Sequence, residues 1–155
     1  MVGPLSARNP QAVLFACGFN SVRSPMAESL LQQMFPHALY VKSAGVKKGE
    51  LDPFAVAVMK ELGQDISGHK PMTFEELEDW EGLNFDLIIT LSPEAHHKAL
   101  DLTRTMAADV EYWPTHDPTG TEGSREQKLE AYREVCDTLL LRIRKRFSKV
   151  SAANG

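Results

Sequence analysis

The chain has 155 residues, of which 43% are hydrophobic and 25% charged, and its formal net charge is −4. This length and composition suit one soluble globular domain spanning residues 1–155, and the negative charge argues against binding to nucleic-acid phosphates. The chain shows no signal-peptide pattern, no apolar run long enough to span a membrane, and no cysteine pattern typical of disulfides or zinc, so we predict a cytoplasmic protein with no membrane partner and no metal.

The first third of the chain alternates an apolar run with a helical pattern and a second apolar run. The run over 11–16 predicts a buried parallel strand. A helix is predicted from Pro25 to about Phe35, with Pro25 at its first position and Ser24 as its cap. A second strand is predicted over 39–44.

The rest of the chain repeats this alternation, with clear helix caps. Asp52 and Pro53 begin one helix, and Thr73 with Glu76 forms a capping box for another. We predict helices over 53–62, after Thr73, over 93–100 and from Ser124 to Phe147, and strands over 85–91 and 110–113. Residues 1–10 and 149–155 are expected to be loosely held termini.

Strands that alternate with helices in this way predict a three-layer α/β fold. Its core is a four-stranded, parallel, doubly wound sheet with helices on both faces. Ligands of such sheets bind beyond the carboxyl ends of the strands. Cys17, Ser43, Ser92 and the loop around Asp117 are all expected at that edge.

The stretch between the first strand and the first helix has the layout of an anion site. A short loop entering a helix turns its N–H groups inward, and the positive end of the helix adds to their field. Arg23 can hold two oxygens of a tetrahedral anion, and the same field favours a nucleophilic thiolate at Cys17. We predict that the phosphate-binding residues are Gly18, Phe19, Asn20, Ser21, Val22 and Arg23.

These residues also carry a family resemblance. Residues 17–28, Cys-Gly-Phe-Asn-Ser-Val-Arg-Ser-Pro-Met-Ala-Glu, resemble the signature loop of the low-molecular-weight protein tyrosine phosphatases, and thioredoxin-coupled arsenate reductases share that fold and loop. The similarity continues through 41–45, 87–91 and Asp117-Pro118, so that it covers about residues 11–147. It implies a phosphotyrosine protein phosphatase I-like fold, no cofactor, phosphorylated proteins or small phosphoesters as substrates, and inhibition by phosphate or sulfate.

The resemblance assigns roles to residues of this chain. Cys17 would attack phosphorus to form a phosphocysteine, and Asp117 would protonate the leaving group and then activate water. The alternative for Asp117 is an ordinary turn residue before proline. Ser24 would donate a hydrogen bond to the Cys17 sulfur, unless it serves only as a helix cap. Asn20 and Ser43 would brace the loop through a hydrogen bond.

The chain departs from typical phosphatases of this family at three positions. Val22 stands where many members have a second cysteine, which rules out a protective disulfide within the loop. Thr119 and Gly120 replace the pair of tyrosines that walls the cleft in eukaryotic members. An aromatic wall is what holds a phenyl ring, so a preference for phosphotyrosine does not follow from the resemblance.

An arsenate reductase is the competing hypothesis. Ser21 and the segment 117–124 are similar to the reductases, but Ser92 and Ala99 stand where their further thiols are expected. A reductase with this sequence would need an external thiol such as glutathione or mycothiol. We interpret Cys136 as a core residue and expect the loop histidines His69 and His116 to be solvated.

Overall fold

A computed structural model of the protein describes residues 10–148. The strands are β1 (Ala12–Cys17), β2 (Tyr40–Gly45), β3 (Leu87–Thr90) and β4 (Asp109–Tyr112), and the helices are α1 (Arg23–Met34), α2 (Pro53–Glu61), α3 (Phe74–Glu81), α4 (Pro93–Leu102) and α5 (Arg125–Arg146). All strand pairs are parallel, in the order β2-β1-β3-β4. The predicted α/β fold is therefore confirmed. Apart from Pro10, the two expected loose termini lie outside the described residues.

Strand β1 occupies the middle of the sheet because its side chains are apolar on both faces. Val13 and Phe15 pack into a cluster with residues of α1, α2 and α5. Leu14 and Ala16 pack on the opposite face, against α3 and α4. A strand that is buried on both faces reads as a continuous apolar run, which is the pattern in the sequence.

The predicted helix starts are confirmed for four of the five helices. Asp52 caps α2, Thr73 and Glu76 form the capping box of α3, and Ser92 caps α4. Ser124 caps α5 and forms a second capping box with Gln127. Each cap gives an otherwise unpaired N–H group an acceptor, which stabilises a helix by about 1 kcal/mol.

The predicted start of α1 is wrong. The helix begins at Arg23, its cap position is Val22, and it has no side-chain cap. Ser24 is therefore inside the first turn, where its hydroxyl contacts the side chains of Cys17 and Asn20 instead of a helix N–H group. Serine before proline is a common helix-cap pattern, but here the Ser24 hydroxyl is used in tertiary contacts.

The ends of the strands bring the candidate site residues to one edge of the sheet. Cys17 is the last residue of β1, and Ser92 follows β3 at the start of α4. The segment from Thr115 to Asp117 follows β4 at the same edge. Among residues 10–148, no helix has the length and apolar character needed to cross a membrane.

Helix α5 packs one of its faces against the core. Two of its leucines should therefore differ in how much they stabilise the fold. Leu139 is fully buried, whereas Leu141 is 68% exposed. We expect Leu139→Ala to lower the free energy of unfolding by about 2–5 kcal/mol, because it leaves a cavity. The matched variant Leu141→Ala should change it by less than about 0.5 kcal/mol. Urea denaturation followed by circular dichroism measures both, and equal losses would contradict the described packing.

Candidate active site

The loop from Cys17 to Val22 is held from outside by the segment that follows β2. Its carbonyl oxygens at positions 17, 18, 19 and 21 each accept a backbone hydrogen bond from that segment. The donors are the N–H groups of Val46, Lys47, Gly49 and Asp52, at distances of 2.9–3.2 Å. Because the carbonyls point outward, the opposite sides of these peptide groups face the interior of the loop.

The N–H groups of the loop are therefore free for a ligand. Within the described part of the chain, the N–H groups from Gly18 to Val22 have no protein acceptor. Asn20 has a φ of 56°, so that the loop turns through the left-handed region at this residue. A ring of free N–H groups at the start of a helix is a binding site for a tetrahedral oxyanion.

Cys17 lies at the floor of this loop. It is only 2% exposed, and its Sγ is 2.9 Å from the hydroxyl oxygen of Ser24. That oxygen accepts a hydrogen bond from Asn20 Nδ2 at 2.9 Å, which leaves the hydroxyl proton free to point at the sulfur. A hydrogen bond from a hydroxyl stabilises a sulfur anion more than it stabilises a thiol.

All the hydrogen-bonding capacity of the Asn20 side chain is used. Its Nδ2 donates to Ser24 and to Ser43, in both cases at 2.9 Å. Its Oδ1 accepts from the Met72 N–H group at 2.9 Å and from His69 Nε2 at 3.0 Å. The fully buried amide thus joins the loop to β2 and to the segment that precedes α3.

The expectation that His69 is solvated is wrong, whereas His116 is exposed as expected. Because Asn20 Oδ1 can only accept, His69 Nε2 must carry the proton. Its Nδ1 faces Glu28 Oε1 at 3.9 Å. Burial lowers the pKa of His69, with the positive charge of Lys42 acting in the same direction and the contact with Asn20 opposing them.

Glu28 continues the network beyond Ser43. Its Oε1 accepts a hydrogen bond from Ser43 Oγ at 2.5 Å. Burial raises the pKa of Glu28, although the Ser43 hydrogen bond and the charge of Lys42 act against this. A cavity of about 500 Å³ opens beside Glu28 and His69. The outer end of the network is therefore open to solvent, while its inner end supports the loop.

Gly45 is the point of closest approach between β2 and the loop. A Cβ atom at this position would lie 2.6 Å from the Lys47 carbonyl oxygen and 2.8 Å from the Asn20 N atom. Both neighbours are backbone atoms that cannot move without shifting the loop. The fold therefore requires glycine at this position for space.

The Arg23 guanidinium is fixed at the rim of the loop. Its Nη1 donates to the Thr115 carbonyl at 2.9 Å and lies 3.5 Å from the Leu91 carbonyl. Its side chain is nearly buried, and Nη2 lies 3.8 Å from Asp117 Oδ2. Since Nη1 is occupied, the other donors of the fork remain available for ligand oxygens.

Asp117 is both a turn residue and a neighbour of Arg23. Its Oδ1 accepts from the N–H group of Thr119 at 3.0 Å and from its hydroxyl at 2.8 Å, and it caps the short 3₁₀ turn Pro118–Gly120. Burial by itself raises the pKa of Asp117, but the hydrogen bonds from Thr119 and the positive charges of Arg23 and His116 outweigh it and lower the pKa overall. Asp117 is therefore ionised at neutral pH when no ligand is bound.

The other predicted residues lie around the same loop. Val22 is buried, Ser21 is half-buried, and Phe19 is 51% exposed. Thr119 and Gly120 are exposed at the position of the missing tyrosines. Three supporting residues were missed by sequence reasoning: His69, Glu28 and Gly45. Of these three, only Gly45 had a local signal in the sequence, because it is a glycine at the end of the second predicted strand.

The network around Asn20 makes stability depend on pH in a defined direction. The folded chain holds His69 with a pKa below 6.5, whereas the unfolded chain titrates near that value. As the pH falls below about 6.5, the unfolded state binds more protons, so that the free energy of unfolding decreases. His69→Gln keeps a donor for Asn20 and should flatten this dependence between about pH 5 and 7. His97→Gln, at an exposed position of α4, should keep the wild-type slope in urea denaturation. Parallel slopes for all three proteins would contradict the assignment.

The close approach at Gly45 yields a second prediction for this site. Gly45→Ala should lower the free energy of unfolding by about 1–3 kcal/mol and weaken phosphate binding, because the added methyl group displaces the loop. Gly68→Ala is the matched control, since nothing lies within 4 Å of the added atom. Urea denaturation and calorimetric titration with phosphate measure the two effects. Normal phosphate binding by Gly45→Ala would contradict the packing described above.

The chain is similar to known proteins over most of its length. The model of the family described as low molecular weight phosphotyrosine protein phosphatase matches residues 12–153. The chain is 30% identical over 140 residues to the glutaredoxin arsenate reductase of Synechocystis sp., and the match covers 90% of this chain and 98% of the relative.

Solved structures of both kinds of enzyme are similar to the chain. An arsenate reductase in the phosphate binding state has a TM-score of 0.68 at 28% identity, covering 90% of this chain and 98% of that one. The low molecular weight protein tyrosine phosphatase from T. tengcongensis has a TM-score of 0.72 at 28% identity, covering 90% and 99%. The chain therefore belongs to the low molecular weight phosphotyrosine protein phosphatase family and is an enzyme of the superfamily that includes these phosphatases and arsenate reductases.

Proposed function

We propose that the chain is a cysteine-dependent phosphomonoesterase that works through a phosphocysteine intermediate. The observation that carries the proposal is the arrangement of the loop: free N–H groups from Gly18 to Val22 surround a thiol at the floor, with a fixed guanidinium at the rim. This arrangement matches the shape and charge of a phosphoryl group undergoing in-line attack.

In the first step, the Cys17 sulfur attacks phosphorus and the ester oxygen leaves. Negative charge develops on the three remaining phosphoryl oxygens, where the loop N–H groups and Arg23 can hold it. These donors are fixed in advance by the hydrogen bonds behind the loop, so that little reorganisation is needed during the reaction. The Ser24 hydroxyl supports the thiolate before attack and again when the sulfur is the leaving group.

Asp117 is the proposed proton donor to the leaving oxygen. It is ionised in the free enzyme, but a bound phosphoryl dianion next to it favours its protonated form and opposes the effect of Arg23. After the leaving group departs, the Asp117 carboxylate can take a proton from water, which then attacks the phosphocysteine. The products are inorganic phosphate and the restored thiolate.

The proposed substrates are phosphorylated proteins or small phosphoesters, and inorganic phosphate and sulfate are the proposed inhibitors. Relatives in this superfamily include a structure in the phosphate binding state, which supports an oxyanion in the loop. A free nucleophilic thiol needs a reducing compartment, so we also propose that the enzyme works in the cytoplasm.

Hydrolysis of an aryl phosphate tests the proposal directly. Cys17→Ser should abolish turnover, and Asp117→Asn should lower kcat by about 10²- to 10⁴-fold, the usual contribution of a positioned acid or base. Asp137→Asn, at an exposed position of α5, should keep wild-type activity. If wild-type turnover were no faster than that of Cys17→Ser, the proposal would fail.

A second candidate is arsenate reduction with an external thiol. The observation in its favour is the similarity to a relative named glutaredoxin arsenate reductase. Arsenate would form an adduct with Cys17, and an external thiol would attack that sulfur, so that arsenic gains two electrons and a mixed disulfide forms. Cys136 is a poor internal partner, because it is buried against Met59 and burial raises the pKa of its thiol to about 11.

The two candidates are separated by a coupled assay. Wild-type protein is given arsenate with glutathione and glutaredoxin, or with mycothiol and its own redoxin, and thiol oxidation is followed. A reductase would oxidise thiol in proportion to arsenate, and Cys136→Ala would retain that activity. Arsenate that acts only as an inhibitor of phosphoester hydrolysis would exclude reduction.

A further inference from the structure

A buried tyrosine hydroxyl joins α5 to the segment that holds the anion loop. Tyr132 lies on α5, and its hydroxyl donates to Asp52 Oδ2 at 2.6 Å. The two residues are 80 positions apart in the chain, and the packing of α5 against α2 brings them together. Burial raises the pKa of Tyr132, and the hydrogen bond to Asp52 and the charges of Asp52 and Asp117 act in the same direction. The hydroxyl therefore keeps its proton and remains a donor at the pH of an enzyme assay.

Asp52 connects this hydroxyl to the loop. Its Oδ1 accepts from the Phe54 N–H group at 2.8 Å, which caps α2, while its Oδ2 accepts from Tyr132. Its own backbone N–H group donates to the Ser21 carbonyl at 3.1 Å. A helix cap needs only one acceptor oxygen, so the contact with Tyr132 is additional to the cap. With both oxygens bonded, the Asp52 side chain is held in one orientation.

The Ser21 carbonyl and the Val22 N–H group belong to the same peptide unit. Because that unit is planar and trans, the two groups point in opposite directions. The hydrogen bond from Asp52 holds the carbonyl outward and thereby turns the Val22 N–H group toward the interior of the loop. Val22 is also the cap position of α1, and Arg23 follows it. The orientation of this peptide unit thus sets one ligand donor and the start of the helix that carries Arg23.

We propose that Tyr132 is a positioning residue of the active site, which acts through Asp52 to keep the Val22 N–H group aimed at the phosphoryl oxygens. This inference rests on the phosphatase proposed above. Charge that develops in a transition state is stabilised best by donors that are aligned before the reaction. Without the hydroxyl, one oxygen of Asp52 loses its partner, and the peptide unit that Asp52 holds is less firmly fixed.

The ring of Tyr132 has a separate, structural role. It belongs to the core cluster on the α5 side of the sheet and packs 5.4 Å from the Phe54 ring, measured between ring centres. Tyr132→Phe keeps this ring and removes only the hydroxyl. The variant therefore separates the effect of the hydrogen bond on the loop from the effect of ring packing on the core.

Tyr132→Phe should lower kcat for an aryl phosphate by about 5- to 50-fold. This is less than the cost of about 10²- to 10³-fold for removing an oxyanion donor outright, because the Val22 N–H group is misaligned and not lost. Calorimetric titration with inorganic phosphate should show roughly 2- to 5-fold weaker binding, since a ground-state anion depends less on alignment than the transition state does. A hydroxyl that only stabilises the fold would change neither value.

Tyr40 offers a matched control. Its hydroxyl also donates to a carboxylate, that of Glu81 at the end of α3. Tyr40 pairs with Ala12 at the amino end of β1, whereas Cys17 is at the carboxyl end of the same strand. Tyr40→Phe thus removes the same kind of hydrogen bond far from the loop. It should leave kcat and phosphate affinity unchanged, even where it lowers the free energy of unfolding.

A double-mutant cycle tests whether Tyr132 acts through Asp52. The alternative is an action on Asp117, since α5 also contacts the 3₁₀ turn that Asp117 caps. Asp52→Asn keeps an acceptor for the Phe54 N–H group, so the cap of α2 remains. In the wild type this substitution should lower kcat. In Tyr132→Phe it should change kcat by less than about 2-fold, because the contact is already absent.

Urea denaturation, kcat and phosphate titration together decide the inference. A loss of kcat and phosphate affinity in Tyr132→Phe but not in Tyr40→Phe, with no further loss from Asp52→Asn, supports it. A lower free energy of unfolding with unchanged kcat and phosphate affinity would make the hydroxyl purely structural and overturn it. Equal losses of activity in the two tyrosine variants, or effects that multiply in the double variant, would overturn it as well.

The titration separates this inference from the proposed function. If the wild type binds phosphate but hydrolyses no phosphoester, the phosphatase proposal fails. Phosphate affinity in Tyr132→Phe then still decides whether the hydroxyl positions the loop. If the wild type is active and Tyr132→Phe matches it in both measurements, the phosphatase stands and the role of Tyr132 is overturned.

Discussion

The site depends on one constraint: the carbonyl groups of the loop after β1 point outward and accept backbone hydrogen bonds from a neighbouring segment. The segment after β2 donates four N–H groups to them, and Gly45 allows that segment to approach closely. With the carbonyls fixed outward, the N–H groups of the loop have only the interior to face. The inward-facing N–H groups from Gly18 to Val22 form a positively polarised cup. This cup is a consequence of how β1 and β2 end side by side in the sheet, and any oxyanion chemistry at Cys17 follows from it.

A buried polar network keeps this cup in shape. Asn20 uses every donor and acceptor of its amide, to Ser24, Ser43, His69 and the Met72 N–H group. A buried amide with all partners present is rigid, and one with a partner missing costs about 1–3 kcal/mol. The same side chain thus holds the left-handed turn, orients the Ser24 hydroxyl toward sulfur and connects the loop to β2. Rigidity of this kind supplies the preorganised donors that electrostatic catalysis requires.

The chain is similar to solved phosphatases and arsenate reductases, and phosphate and arsenate are both tetrahedral oxyanions that suit a cup of this shape. The chemistry after the first attack depends on what surrounds the cup. A carboxylate placed like Asp117 supports hydrolysis, whereas reduction requires a second thiol within reach of the sulfur. The chain has two cysteines in all, and Cys136 is buried on α5 with Met59 as its neighbour.

The sequence alone determined the fold class, the places of Cys17 and Arg23 at the two ends of the loop, and four helix caps, because apolar runs, caps and the loop spacing are local signals. It also placed Ser92 and the Asp117 loop at one edge, since parallel strands end on the same side. It could not determine that Ser24 contacts sulfur instead of capping α1, or that His69 is bonded to Asn20. His69 lies 49 positions from Asn20 in the chain, so only the packing of the segments around β1 and β2 brings the two side chains together.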